Sequence, residues 1–210
     1  EGELYVGCAG GIDAGIEFNY TEEPVPAGVK AYRLAIKGLK GGHSGMDINL
    51  GRGNSNKLLF RFLKTYAAEL GIRLANVTGG SLRNAIPRES FAVIVLPSEK
   101  AEQLQAAVKE AEAIYSAELS AKEPNLQVSA EETALPTHLI DACTQARLIN
   151  AILACPNGAV RMIDSMPDTV ETSNNLAIVL SENGKISIKM LLRSSVETAK
   201  EALAQSIQAV

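Results

Sequence analysis

The chain has 210 residues and a formal net charge of −4, and 46% of its residues are hydrophobic. That length suffices for one substantial domain or for two small ones that share a core. The acidic balance disfavours a nucleic-acid binder, as does an aromatic content of 4% without tryptophan. No apolar run approaches the roughly 20 residues that a membrane span requires.

Histidine and cysteine are scarce. The only histidines are His43 and His138, and the three cysteines are Cys8, Cys143 and Cys155. An odd number of cysteines without metal-type spacing argues against a disulfide framework, so a reducing cytoplasm is the simplest setting and the cysteines are interpreted as packing residues. Because the chain has no paired-cysteine or His-Glu-x-x-His motif, we expect no metal site in this chain alone.

The first half of the chain begins with an irregular lead-in over residues 1–28, and its start at Glu1 indicates a cut inside a longer protein. Alternating apolar residues from Val29 predict a strand, and a glycine-rich loop follows over residues 38–53. The other predicted elements of this half are a helix capped by Asn54–Ser55 and stopped by Gly71, strands near 72–78 and 90–96, and a helix capped by Ser98 that runs to about residue 122.

The second half repeats this plan. Its predicted elements are a strand near 126–130, a helix from Pro136–Thr137 to Pro156, strands near 159–163, 174–180 and 185–192, a hairpin turn at Glu182–Asn183–Gly184, and a helix from Ser194 or Ser195. The predicted fold class is therefore α+β, with duplicated ferredoxin-like units whose helices pack on one face of an antiparallel sheet. The predicted boundaries are a lead-in at 1–28, a first half at 29–124 and a second half at 125–210.

Three polar residues beside turns or strand ends are candidates for chemistry. His43 lies between glycines in residues 41–45, where a backbone that turns tightly can present an imidazole. From the residues alone, a functional and an incidental histidine are equally compatible with this loop. Asn84 fits a hairpin loop that satisfies its own backbone, and Arg193 fits a surface charge at a strand end, although its guanidinium could bind a carboxylate.

Two neighbouring stretches carry a family resemblance. Residues 39–48 (LKGGHSGMDI) and 51–59 (GRGNSNKLL) closely resemble the aminoacyl-histidine dipeptidases, which are cytosolic zinc peptidases. Further matching stretches follow in order along almost the whole chain, at residues 7–11, 82–89, 156–158, 170–173 and 192–194.

The resemblance implies that this chain is the lid, or dimerisation domain, inserted into a catalytic domain that holds two zinc ions and a carboxylate general base. The family's metal ligands have no match here, and we expect them before Glu1 and beyond Val210. In the family's lid, a loop histidine stabilises the oxyanion, and His43 matches it. By the same resemblance, Asn84 matches a substrate-binding asparagine and Arg193 matches the arginine that binds the substrate carboxylate.

Two functional hypotheses follow. In the first, the chain is the lid of a cytoplasmic zinc-dependent dipeptidase that hydrolyses aminoacyl-histidine dipeptides, and it is inactive without its catalytic domain. Its partners would then be the catalytic domain of the same polypeptide, the dipeptide and a second copy in a homodimer, with neither nucleic acid nor membrane. In the second, the chain is a free-standing, non-catalytic module for dimerisation or small-molecule binding. The absence of metal-ligand motifs from the sequence agrees equally well with this hypothesis.

Overall fold

The computed structural model describes residues 9–210, which form one extended sheet with helices against it. Its strands are β1 Gly10–Asn19, β2 Glu22–Glu23, β3 Val29–Lys37, β4 Gly42–His43, β5 Arg73–Gly79, β6 Ala85–Ile86, β7 Ser90–Pro97, β8 Gln127–Thr133, β9 Leu139–Ile140, β10 Gly158–Ile163, β11 Met166–Glu182 and β12 Lys185–Ser194. Its helices are α1 Ser55–Leu70, α2 Ala101–Leu119, α3 Ala142–Ala154 and α4 Glu197–Gln208, with a 3-10 turn at Ser98–Lys100.

The strand order shows how the duplication is built. The sheet runs β1-β12-β11-β5-β7-β3-β8, with β10 paired to β11, and neighbouring strands are antiparallel. The elements β3-α1-β5-β7-α2-β8 form the first unit, which is ferredoxin-like. The elements β1-α3-β11-β12-α4 repeat this arrangement in the second unit, without a fourth strand among the described residues. Antiparallel pairing of β5 with β11 joins the two units, so the predicted fold class is confirmed.

Strand pairing places the unit boundaries elsewhere than predicted. The prediction of an irregular lead-in is wrong for residues 10–19. These residues form β1, which pairs with β12 along its whole length and serves as the first strand of the second unit. The boundary at residue 124 is also wrong, since β8 pairs with β3 and completes the first unit. The first unit is thus inserted into the second. Residues 1–8, including Glu1 and Cys8, lie outside the described residues.

Several local signals are confirmed. The side chain of Asn54 caps α1 by accepting a hydrogen bond from Lys57 N at 3.2 Å, and Gly71 ends the helix in the left-handed conformation at φ 66°. The tight turn between β11 and β12 has Asn183 at φ 52° and Gly184 at φ 74°, as the hairpin prediction requires.

Two predicted helix starts are wrong. The Ser98 hydroxyl does not cap α2, because it donates to the carbonyl of Gly28, and the α-helix begins only after the 3-10 turn. The helix predicted from Pro136 begins instead at Ala142, where the Asp141 carboxylate accepts a hydrogen bond from Thr144 N at 2.8 Å.

The two faces of the sheet are packed differently. One face and all four helices share a single hydrophobic core, which includes Leu34, Ile94, Leu176 and Ile188. Among the described residues, the opposite face carries one small second cluster beneath β9. Cys155 is buried as expected of a packing residue, but Cys143 is exposed. Within residues 9–210, every helix is too short or too polar to span a bilayer.

Candidate functional site

The loop after β3 is built around a glycine and an ion pair. Gly42 has φ 146°, and a Cβ at this position would lie 2.6 Å from the Asp47 carboxylate. That carboxylate accepts a hydrogen bond from His43 N at 2.8 Å and pairs with Arg52 at 3.3 Å, while Arg52 also donates to the carbonyl of Gly41. The glycine therefore lets the loop fold tightly onto Asp47, which fixes the backbone of His43.

The imidazole of His43 is oriented by its own loop. Its Nδ1 atom accepts hydrogen bonds from the backbone N–H groups of Gly45 and Met46, each at 3.2 Å. Because Nδ1 acts as an acceptor, hydrogen bonding assigns the proton of the neutral ring to Nε2. The ring is exposed, and Nε2 has no partner among the described residues. His43 can therefore offer an N–H donor to a ligand outside the loop.

The Asn84 loop is joined to the His43 loop. Strands β3 and β5 run in the same direction on either side of β7, so the loops that follow them lie at the same end of the sheet. There β4 pairs with β6, and Ser44 N donates to the carbonyl of Asn84 at 2.9 Å. The exposed Asn84 amide makes no hydrogen bond within residues 9–210, so its donor and its acceptor are both available.

Arg193 comes from the second unit. It lies near the end of β12, opposite Ser173 of β11 and Gly11 of β1. Alternation along β12 places Leu192 in the core and Arg193 on the helix-free face. The Arg193 side chain forms no ion pair with the described residues, and its Nε atom is buried without a hydrogen-bond partner. An arginine fork without a carboxylate of its own is suited to an anionic ligand.

Gly45 is where the histidine and the arginine meet. A methyl group built on Gly45 would lie 3.2 Å from His43 Cε1 and 3.4 Å from Arg193 Nη1. Beside it opens a recess of about 560 Å³ between the His43 loop and the β10–β11 hairpin, with Asn49 donating to the carbonyl of Asp168 across it. The structure therefore brings all three predicted site residues, His43, Asn84 and Arg193, to one region.

The described residues contain no group of three or more His, Cys, Asp or Glu side chains that could hold a metal ion. The remaining histidine, His138, is distant from the site in the fold, since it precedes β9 and its Nε2 lies 3.4 Å from a Glu22 carboxylate oxygen. The site of this chain thus consists of donors for hydrogen bonding and a positive charge.

Two residues that shape the site were missed by the sequence analysis. Asp47 holds the His43 backbone, and Asn175, in β11, donates to the carbonyls that flank Asn84. Asp47 is part of the matching stretch 39–48, and its spacing from His43 could have identified it. For Asn175, the available signal is an Asn-Asn pair within a strand, because asparagine is disfavoured there.

Comparisons with known proteins identify relatives of this chain. Residues 34–123 match the family model described as a peptidase dimerisation domain. The chain is 42% identical to the cytosol non-specific dipeptidase of Escherichia coli over 96% of this chain and 41% of that protein. It also superposes on the crystal structure of the aminoacylhistidine dipeptidase from Vibrio alginolyticus with a TM-score of 0.96 and 42% identity, covering 100% of this chain and 43% of that one. The chain therefore spans less than half the length of these relatives.

Proposed function

We propose that this chain, whose residues 34–123 match a peptidase dimerisation domain, forms the substrate-facing lid of a longer, zinc-dependent dipeptidase that hydrolyses aminoacyl-histidine dipeptides. The observation that carries this proposal is that His43 and Arg193 meet beside Gly45, although they come from two structural units, while the Asn84 backbone is hydrogen-bonded to the adjacent Ser44. The E. coli relative is named for the cytosol, which supports a cytoplasmic setting.

Each of the three side chains has a role that its surroundings support. The Nε2–H of His43 donates to the oxyanion that develops when water attacks the peptide carbonyl. Arg193 binds the terminal carboxylate of the dipeptide, because its guanidinium has no carboxylate partner within the described residues. Asn84 binds the substrate through its free amide. Closure of the lid over the substrate would exclude water from these contacts.

The metal belongs to another part of the proposed enzyme. The metal ligands of the zinc dipeptidases that this chain resembles have no match in its sequence, so on this proposal the two zinc ions would be held by residues outside it. Zinc there would supply an activated water and polarise the scissile carbonyl. On this proposal the isolated chain is inactive, and its catalytic domain is its first partner.

The description of the matched family favours a second role, which is self-association. Among the described residues, β1 and β8 stand at the two ends of the main strand order, and the edge of such a strand can pair with another strand. A second copy of the chain would be the partner in a homodimer. Sedimentation velocity on the chain between micromolar and millimolar concentration tests this role, and a monomer throughout that range would contradict it.

The activity is tested by comparing two proteins. The first is the full reading frame that contains this segment, and the second is the 210-residue chain alone. With zinc present, we expect only the first to hydrolyse β-alanyl-histidine, and to prefer it to a matched dipeptide that ends in alanine. A zinc-loaded full-length protein that cleaves no dipeptide would overturn the proposal. A reading frame without a metal-binding domain would favour the free-standing binding module.

A further inference from the structure

A buried asparagine of the second unit holds the Asn84 loop of the first. Asn175 is fully buried, and its Nδ2 atom donates to two backbone carbonyls, that of Arg83 at 3.1 Å and that of Ala85 at 2.8 Å. These carbonyls flank Asn84, whose own carbonyl accepts from Ser44 N at 2.9 Å. The backbone on both sides of Asn84 is therefore fixed, and the fixing group belongs to the other unit.

Strand register relates this anchor to Arg193. Asn175 pairs with Leu191, and Ser173 pairs with Arg193. Paired residues and residues two apart on a strand share a face, so Asn175 and Arg193 are neighbours on the helix-free face. Two residues along a strand correspond to about 7 Å. Asn175 thus ties the Asn84 loop to the two strands that carry the arginine.

The choice of asparagine is chemically specific. Two carbonyls need two donors from one compact group, which a carboxamide supplies and an aspartate of the same shape does not. The Oδ1 atom of Asn175 is buried without a partner, which is an unfavourable state for a polar atom. The neighbouring Asn174 also has an unpartnered Oδ1, so what distinguishes Asn175 is the pair of hydrogen bonds that it donates to the Asn84 loop.

We propose that Asn175 is a positioning residue, which sets the place of Asn84 relative to Arg193 and so allows one dipeptide to contact both. This inference rests on the proposed function for its catalytic consequence. Its structural part, the anchoring of the loop across the two units, concerns the present chain alone.

The neighbouring residue provides a matched control. Asn174 is equally buried, but it lies on the core side of β11, where its Nδ2 atom donates to the carbonyl of Pro156 at 2.7 Å. Asn174→Ala and Asn175→Ala therefore remove the same group from adjacent positions. Only the second substitution frees the Asn84 loop.

The decisive experiment is a double-mutant cycle in the full-length dipeptidase, with kcat and KM measured on β-alanyl-histidine. We expect Asn175→Ala to lower kcat/KM about 10- to 100-fold, since small misplacements of a binding group can cost about this much. Combining it with Asn84→Ala should add little to the loss from Asn84→Ala alone. Asn175→Asp, which keeps the shape, should behave as Asn175→Ala does, and Asn174→Ala should leave kcat/KM near the unsubstituted value. Losses that simply multiply in the double variant would overturn the proposal.

Hydrogen exchange on the present chain separates this inference from the proposed activity. The amide of Ser44 is protected by the carbonyl of Asn84, so it should exchange faster in Asn175→Ala than in Asn174→Ala. Unchanged exchange would overturn the anchoring role even if the enzyme is active. If the full-length protein cleaves no dipeptide but the amide is deprotected, the proposed function fails and the anchor stands.

Discussion

The two ferredoxin-like units share an architecture but differ in their connections. In the first unit, the segment between β5 and β7 is a loop that carries Asn84, and the segment after β3 carries His43. In the second unit, the equivalent connection between β11 and β12 is the tight turn at Asn183–Gly184. The first unit therefore supplies the loops with His43 and Asn84, whereas the second supplies a helix-free strand face with Arg193 and the β10–β11 hairpin.

This difference shows how duplication can create a site that neither copy contains. Pairing of β5 with β11 lays the loops of the first unit along the face of the second, and Asn175 holds them there. The tight turn at Asn183–Gly184 lies at the far end of β12 from Arg193, so it is the β10–β11 hairpin of the second unit that borders the site.

The first prediction tests whether the loops of the first unit carry the chemistry. Replacing His43 with alanine in the full-length enzyme should lower kcat about 10²–10³-fold, the range for losing one oxyanion donor. The control is His138→Ala, because His138 is half-buried beside Glu22 and lies outside the site. Steady-state kinetics on β-alanyl-histidine checks both variants, and an unchanged kcat in His43→Ala would remove His43 from catalysis.

The second prediction concerns the face of the second unit. Arg193→Ala should raise KM up to about 100-fold with a smaller change in kcat, because a carboxylate is bound in both ground and transition states. Arg33 of β3 is the matched control, since it lies on the helix-free face of the first unit and stacks over the Phe91 ring at 4.0 Å. A fixed KM with a collapsed kcat would assign Arg193 to the transition state instead.

The same comparison explains what the sequence could reveal about the fold. Elements with a strong local pattern were predicted within a few residues, including α1 with its Asn54 and Gly71 caps and the turn at Asn183–Gly184. The strand β1 was missed although Ile12 and Phe18 belong to an alternating apolar row that packs on the core. Its glycines suggested a loop, and its partner β12 lies at the other end of the chain, so pairing between distant segments decided its conformation.

The site was predictable to a different extent. His43, Asn84 and Arg193 were identified because they lie in stretches that resemble a family, and spacing along the chain alone left each of them ambiguous. What the sequence could not supply was their convergence, which depends on the β5–β11 junction and on Asn175. Such contacts join residues that are far apart in the chain, so a local sequence pattern cannot predict them.

The third prediction tests whether the two units are held together by a half-buried lysine. Lys57 of α1 donates to the carbonyls of Ile152, Leu153 and Cys155 at the end of α3, at 2.8, 2.9 and 2.8 Å. Replacing it with methionine should lower the free energy of unfolding by about 2 kcal/mol, because carbonyls that bind a cation lose their partner.

Lys64 provides the control for this substitution. It lies on the same helix and reaches the same partner helix, but it is exposed and donates only to Asn150 Oδ1 at 2.8 Å. Lys64→Met should therefore cost less than about 0.5 kcal/mol, as surface substitutions generally do. Urea denaturation of the chain measures both variants, and equal losses would mean that α3 needs no cap from the first unit.

The fourth and smallest effect lies at the opposite end of α3. The Asp141 carboxylate accepts hydrogen bonds from Thr144 N at 2.8 Å and Thr21 N at 3.0 Å, so it caps the helix and holds the segment that follows β1. The backbone hydrogen bond from Thr144 is the main cause that lowers the pKa of Asp141 below its ordinary 3.8. Asp141→Ala should cost about 1 kcal/mol at neutral pH, which urea denaturation measures.

The pH dependence of the free energy of unfolding distinguishes the contribution of the Asp141 charge from that of its hydrogen-bond geometry. Since the folded pKa of Asp141 lies below the unfolded one, its contribution is fully present above the unfolded pKa and is lost as pH falls through the folded value. Asparagine can also cap a helix but does not titrate, so Asp141→Asn should match the unsubstituted chain more closely at pH 3 than at pH 7. A difference that stays constant between these pH values would mean that the cap acts through its shape alone. In that case the second unit's first helix would be fixed by hydrogen-bond geometry, as α1 of the first unit is by the uncharged Asn54.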